Sequence, residues 1–149
     1  MNELLNILGW IGLYSPVVLG GIGSGIGCTI AGQAAIGAML ETEGGWGRYI
    51  GLAILPSSNI IYGIVVMFAL TRPITPGVAE GLFVLGLGAG IALLILGIYQ
   101  GTLVASAIAG SKEKPAIFGL SIAPAAVVEG FCVFTFIFVL VLAGSLPSK

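Results

Sequence analysis

The amino-acid sequence predicts an all-α membrane protein whose four transmembrane helices form two tandem helical hairpins. Three observations support this fold class: the composition, the spacing of the charges and an internal repeat. Apolar residues make up 58% of the 149 residues and charged residues only 7%, which leaves too little polar surface to cover a water-soluble globule. Lipid must therefore be the solvent for most of the chain, and we expect a multi-pass protein of the cell membrane.

Long stretches without charge divide the chain into four helices. Residues 4–40, 49–71 and 81–111 carry no charge, and residues 115–148 carry only Glu129. Each stretch reaches the length of about 20 apolar residues that crosses a bilayer as a helix. The predicted helices span approximately residues 16–41, 48–70, 78–110 and 116–143.

The start of the first helix is predicted from Pro16. A proline suits the first turn of a helix, where its missing N–H is not needed, so residues 1–13 would lie near the membrane interface. Glu3 stands where a secretory signal peptide would carry a basic residue, and we expect the first helix to be retained.

The basic residues predict the orientation in the membrane. Arg48, Lys112 and Lys114 lie in the loops after the first and third helices, whereas Arg72 and Lys149 lie on the opposite side. Because cytoplasmic loops carry an excess of lysine and arginine, the loops after the first and third helices are predicted to be cytoplasmic.

The second half of the chain repeats the first. The matching pairs, 67 or 68 residues apart, are Gly21 and Gly88, Gly23 and Gly90, Gln33 and Gln100, and Pro56 and Pro124. Each half is thus a glycine-rich helix, a short charged turn and a helix interrupted by proline, which predicts one hairpin at residues 1–72 and another at 73–149. At the position that matches Glu129 the first half has Ile61, so one carboxylate serves four helices.

The glycines of the first and third helices predict close helix packing. Their small-xxx-small pairs are Gly21 with Gly25, Gly23 with Gly27, Gly86 with Gly90, and Gly97 with Gly101. Because the glycines of the first helix cover more than one face, we expect this helix to contact neighbours on several sides, as in the inner circle of a ring.

Glu129 is the main candidate for a functional residue. It lies about 13 residues, or about 20 Å, into the fourth helix and hence near the middle of the membrane. An ionised carboxylate is costly there, so it must be protonated, paired or in contact with water. No lysine or arginine lies at a similar depth. The expected partner is therefore a mobile cation, either a proton or a metal ion.

Other classes of function are excluded by what the sequence lacks. A net charge of -1 excludes a nucleic-acid footprint, and the absence of histidine excludes a histidine-based metal or acid/base site. Cys28 and Cys132 lack close-spaced partners for zinc or a disulfide framework, and we interpret both as small packing residues. No catalytic residue is predicted.

Two prolines lie at the depth of Glu129. Pro124 cannot donate to the carbonyl of Leu120, and Pro56 cannot donate to that of Leu52, so both helices should kink and expose backbone oxygens.

Polar side chains gather at the same level. Ser58 and Asn59 follow Pro56, and Gln100 lies at a comparable depth in the third helix. Each could serve only as a hydrogen bond between helices, but together they form a candidate cage for a cation.

Three segments resemble the ion site of a known family, the double-hairpin proteolipids (c or K subunits) of V-type and archaeal-type rotary ATPases. They are LPSSNIIYG at residues 55–63, the pair Gln100 and Gly101, and VVE at residues 127–129. The resemblance covers nearly the whole chain. It implies a sodium site made of Glu129, Gln100, Ser58, Asn59 and the carbonyl of Leu55, with Tyr62 holding Glu129. Sodium-binding members have threonine and glutamine where Ser58 and Asn59 stand, so the chemistry is kept and the reach is shortened.

The resemblance also implies a mechanism and partners. Copies of the chain would form a ring in lipid, with Glu129 facing a stator subunit that supplies an arginine, and a central stalk would rest on the cytoplasmic loops at residues 41–48 and 111–114. ATP would be hydrolysed in the soluble head. Five candidate oxygens favour Na⁺, because a proton needs only the carboxylate and one acceptor.

The sequence also leaves three alternatives open. The first is a proton-only proteolipid of the same family. The second is a small multidrug or cation antiporter, which would need a roomy pocket lined by aromatic residues. The third is a structural channel or junction protein, for which Glu129 would be dispensable.

Overall fold

A computed structural model describes residues 3–147 and confirms the all-α membrane fold. Four helical segments are long and apolar enough to span a membrane: Glu3–Leu40, Trp46–Leu70, Pro76–Glu113 and Pro115–Ser145. The protein is a multi-pass integral membrane protein, and its spans pair as two tandem hairpins.

The first and third spans are continuous helices, whereas the second and fourth are interrupted. The first span is α1 (Glu3–Leu40), and the third is α4 (Pro76–Glu113). The second span consists of α2 (Trp46–Ala53), a 3-10 turn (Leu55–Ser57) and α3 (Ser58–Leu70). The fourth consists of a 3-10 turn (Pro115–Ile117), α5 (Phe118–Ser121) and α6 (Ala123–Ser145). Both interruptions coincide with Pro56 and Pro124, so the predicted distortions are confirmed.

The predicted start of the first helix is wrong. Pro16 lies inside α1, and residues 3–13 are helical instead of lying near the interface, while residues 1–2 are outside the described part of the chain. A proline removes only one hydrogen bond from a helix, and in lipid the surrounding backbone must remain helical to satisfy its own polar groups. The carbonyl of Pro16 also packs directly against Gly63 of α3, where there is no side chain to clash with it.

Helices α1 and α4 form a parallel central pair with backbone-to-backbone contacts. A Cβ atom on Gly86 would overlap the backbone of Gly12, and one on Gly97 would lie 2.7 Å from the carbonyl carbon of Gly23. Close packing of the first and third predicted helices is therefore confirmed. Gly25 is outside this interface, because a Cβ added there meets no atom within 4 Å.

The other helices pack on this central pair in two apolar clusters at different levels. One cluster lies towards the turns that follow α1 and α4 and includes Ala35, Tyr49, Val104 and Ala125. The second lies towards the opposite end and includes Leu13, Val66, Leu82 and Val139. The polar residues described below lie between these clusters along the spans, and the fourth span is the least buried of the four.

An ion-pair network joins the two hairpins at the end predicted to be cytoplasmic. The Lys112 ammonium lies 2.6 Å from a carboxylate oxygen of Glu41 and 3.2 Å from one of Glu113. Nearby, the Arg48 guanidinium lies 4.8 Å from the ring centroid of Tyr49 and 5.6 Å from that of Phe118. The turn after α1 thus contacts the end of α4 through the Glu41–Lys112 ion pair.

We expect Gly86→Ala to destabilise the fold by about 1–3 kcal/mol, because the new methyl group would enter the backbone of α1. The measurement is the midpoint of unfolding of the purified protein in a denaturing detergent titration. Gly88→Ala on the same helix is the control, since a Cβ there meets no atom of the chain within 4 Å. Equal midpoints for the two variants would contradict the packing described here.

Candidate ion-binding site

The carboxylate of Glu129 on α6 accepts hydrogen bonds from two other spans. The Tyr62 hydroxyl of α3 donates to Oε1 at 2.6 Å. The Gln100 amide of α4 and the Ser58 hydroxyl of α3 donate to Oε2 at 2.6 and 2.8 Å. Among residues 3–147 no lysine or arginine forms an ion pair with Glu129. The half-buried carboxylate is therefore held entirely by uncharged donors.

The interruption of the second span positions Ser58 and a backbone oxygen. Ser58 is the first residue of α3, and its hydroxyl lies 3.1 Å from the Leu55 carbonyl as well as near Glu129. The prediction that the prolines leave the carbonyls of Leu52 and Leu120 exposed is wrong, because these carbonyls accept the backbone N–H groups of Ile54 and Ile122. The backbone oxygen presented beside Ser58 is thus that of Leu55.

Helix α1 packs closely against this interruption. A Cβ on Gly20 would lie 2.7 Å from the carbonyl oxygen of Asn59, so a larger residue there would push the helices apart. One turn further along α1, the buried Ser24 accepts the backbone N–H of Ile60 at 2.9 Å. Sequence reasoning missed Ser24, because its role depends on α1 lying against α3.

Asn59 lies one layer behind the carboxylate. Its Nδ2 donates to the Pro56 carbonyl at 3.2 Å and to Oε1 of Gln100 at 3.1 Å, and its Oδ1 accepts the Cys132 thiol at 3.1 Å. The structure thus brings Asn59 to Gln100 and not directly to Glu129.

Cys132 is a polar contact that the sequence interpretation missed. The prediction that it is a small packing residue describes its burial, since it is fully buried, but not its hydrogen bond to Asn59. The available signal was its position three residues after Glu129, because residues at that spacing share a helix face.

A cavity of about 300 Å³ opens beside the carboxylate. Its lining residues are Leu55, Ser58, Gln100, Ile122, Ala125, Ala126 and Glu129. The cavity has room because the side chains of Ala125 and Ala126, which follow Pro124, are small. Ser58, Gln100 and Glu129 form its polar side. None of these lining residues is aromatic, in contrast to the pocket expected for a multidrug antiporter.

Comparison with known proteins identifies the family. The family of the ATP synthase C subunits matches residues 11–70 and, a second time, residues 83–142. The chain belongs to this ATP synthase family of C subunits. The two matches correspond to the two hairpins and confirm the resemblance to the rotor proteolipids of rotary ATPases.

Two relatives are matched over different shares of their own length. Over 114 residues the chain is 32% identical to the A-type ATP synthase subunit K of Methanocaldococcus jannaschii, a match that covers 74% of this chain and 52% of that protein. The chain therefore spans about half the length of this archaeal relative. Over 138 residues it is 30% identical to the V-type sodium ATPase subunit K of Enterococcus hirae, covering 89% of this chain and 88% of that protein.

We expect Tyr62→Phe to increase the rate at which a hydrophobic carbodiimide labels Glu129 by about two- to tenfold. The variant removes one hydrogen bond from Oε1, worth about 0.5–1.5 kcal/mol, and so frees the carboxyl group for attack. The rate is measured by mass spectrometry of the intact chain. Tyr14→Phe is the control, because Tyr14 is exposed on α1. An unchanged rate in Tyr62→Phe would show that this hydrogen bond does not restrain Glu129.

Proposed function

We propose that this chain is the rotor-ring subunit of a V-type ATPase and that it carries Na⁺ across the membrane on Glu129. The observation that supports the proposal best is the carboxylate itself. It lies within a membrane span, three uncharged donors hold it, and no basic residue among residues 3–147 neutralises it. A small cation that binds and leaves provides the missing charge.

The proposed sodium ligands are Glu129, Ser58, the Leu55 carbonyl, Gln100 and Asn59. The Ser58 hydroxyl has one proton and lies within hydrogen-bond distance of both Leu55 and Glu129, so its lone pairs remain free for a cation. Tyr62 occupies the other carboxylate oxygen and orients the group, while Pro56 and Pro124 interrupt the helices around it.

In the proposed mechanism, copies of the chain form a closed ring in lipid. A Glu129 neutralised by Na⁺ passes through lipid, whereas the free carboxylate stays near an arginine of a stator subunit until it is loaded again. A central stalk rests on the turns at residues 41–48 and 111–114, which the Glu41–Lys112 ion pair connects. ATP is hydrolysed in the soluble head, so the two hairpins, residues 1–72 and 73–149, carry only the ion.

One carboxylate per chain favours pumping over ATP synthesis. Ile61 stands where the first half would carry the second carboxylate. For the same number of helices, one turn of the ring therefore moves half as many ions as a ring with a carboxylate in every hairpin. Fewer ions per turn raise the gradient that each ATP can oppose.

Sodium is preferred to a proton for two reasons. More oxygen atoms lie near Glu129 than a proton needs, since a proton needs only the carboxylate and one acceptor. The Enterococcus hirae relative is a sodium ATPase subunit. A proton-only proteolipid remains the alternative candidate, since a protonated Glu129 would also be neutral in lipid.

We expect Na⁺ at millimolar concentration and fixed pH to protect Glu129 from carbodiimide labelling, because a bound cation occupies the carboxylate. The labelled fraction is measured by mass spectrometry against increasing NaCl, with choline chloride as the ionic-strength control. Labelling that depends on pH and not on NaCl would contradict Na⁺ as the transported ion and indicate H⁺.

We expect Glu129→Gln to abolish ATP-driven ion uptake into vesicles that contain the assembled ATPase. The amide keeps the size of the side chain but has no charge for a cation to neutralise. Glu80→Gln is the matched control, because Glu80 is exposed near the start of α4. Uptake that persists in Glu129→Gln would remove Glu129 from the transport path and leave a structural role for the chain.

A further inference from the structure

We infer that Cys132, acting through Asn59, is a positioning residue that weakens sodium binding by holding the carbonyl oxygen of Gln100 away from the cation. The observation is a continuous hydrogen-bonded row in which Cys132 contacts Asn59, Asn59 contacts Gln100 and Gln100 contacts Glu129. The inference rests on the proposed sodium function and concerns residues behind the carboxylate.

The orientation of both amides in this row follows from the Pro56 carbonyl. That oxygen can only accept a hydrogen bond, so the Asn59 atom 3.2 Å from it must be Nδ2. The same Nδ2 faces Gln100 at 3.1 Å, so Gln100 turns its Oε1 towards Asn59. Gln100 then has only its Nε2 to offer to Glu129, which suits a carboxylate acceptor.

This arrangement removes two carbonyl oxygens from the cation. Oε1 of Gln100 is turned towards Asn59, on the other side of the amide from the Nε2 that donates to Glu129, and Oδ1 of Asn59 is turned towards the Cys132 thiol. For either oxygen to ligate Na⁺, the Asn59 amide must rotate. Rotation breaks its contacts with both Pro56 and Cys132, so these contacts oppose sodium binding.

Of the two contacts that oppose rotation of the Asn59 amide, the one with Cys132 can be removed by a side-chain substitution. Its Sγ lies 3.1 Å from Oδ1 of Asn59 and 3.3 Å from the Val128 carbonyl, so its single proton has the nearer acceptor in Asn59. Asn59, Gln100 and Cys132 are each at most 1% exposed, so water does not replace a broken bond in this row.

A moderate sodium affinity suits a site that must also unload. Conduction requires binding that is favourable enough for the ion to enter and weak enough for it to leave. Cys132 adjusts this balance without touching the ion.

The test measures, for the assembled ring of the parent and of each of three variants, the Na⁺ concentration that protects half of the Glu129 side chains from carbodiimide. Cys132→Val fills the space of the thiol without a donor and is expected to lower this concentration about three- to tenfold, the range of one hydrogen bond. Cys132→Ser keeps a donor and is expected to stay close to the parent. Thr71→Val is the remote control, since Thr71 follows the end of α3 and its hydroxyl donates to the Met67 carbonyl of the same helix at 2.8 Å. If the valine variant does not assemble, Cys132→Ala replaces it.

Each outcome separates this inference from the proposed function. Equal concentrations for the parent and Cys132→Val overturn the inference and leave sodium transport standing. A shift in Cys132→Ser as large as that in Cys132→Val also overturns it, because packing would then be the cause. Protection of Cys132→Val alone, with an unprotected parent, supports the inference and removes Na⁺ as the parent's cargo. No protection of any protein overturns both.

Discussion

The structure depends on satisfying one carboxylate in a medium without water. An unpaired buried charge costs several kcal/mol, and Glu129 avoids much of this cost by accepting hydrogen bonds from Tyr62, Gln100 and Ser58. These donors come from two different spans and must meet α6 at one level. Pro56 and Pro124 interrupt the second and fourth spans near that level, and Gly20 lets α1 pack against the first interruption.

Rigidity and adaptability are divided between the two layers of the molecule. Helices α1 and α4 are continuous and in backbone contact, for example at Gly97 and Gly23, so their spacing cannot change without separating the main chains. The interrupted spans lie outside this pair, and the span that carries Glu129 is the least buried. In the proposed function, a small rotation of side chains at Glu129 would load or release a cation while the central pair stays in place.

The sequence predicts the spans well, because lipid forces every long uncharged stretch into a helix. Depth along those helices also predicts that Ser58, Gln100 and Glu129 meet. The start of α1 was missed because one proline does not end a helix in lipid. The direction of the Asn59 amide and the bond from Cys132 depend on how α3, α4 and α6 meet, and a residue count along single helices carries no information on that.

The duplicated halves have become complementary at the site. With the 68-residue offset of the two prolines, Ser58 and Asn59 of the first half correspond to Ala126 and Val127, whereas Glu129 of the second half corresponds to Ile61. The first half thus supplies donors where the second is apolar, and the second supplies the carboxylate where the first is apolar. Neither hairpin contains a whole site. The site exists only where both hairpins pack together, and the backbone contact of α1 with α4 is part of that packing.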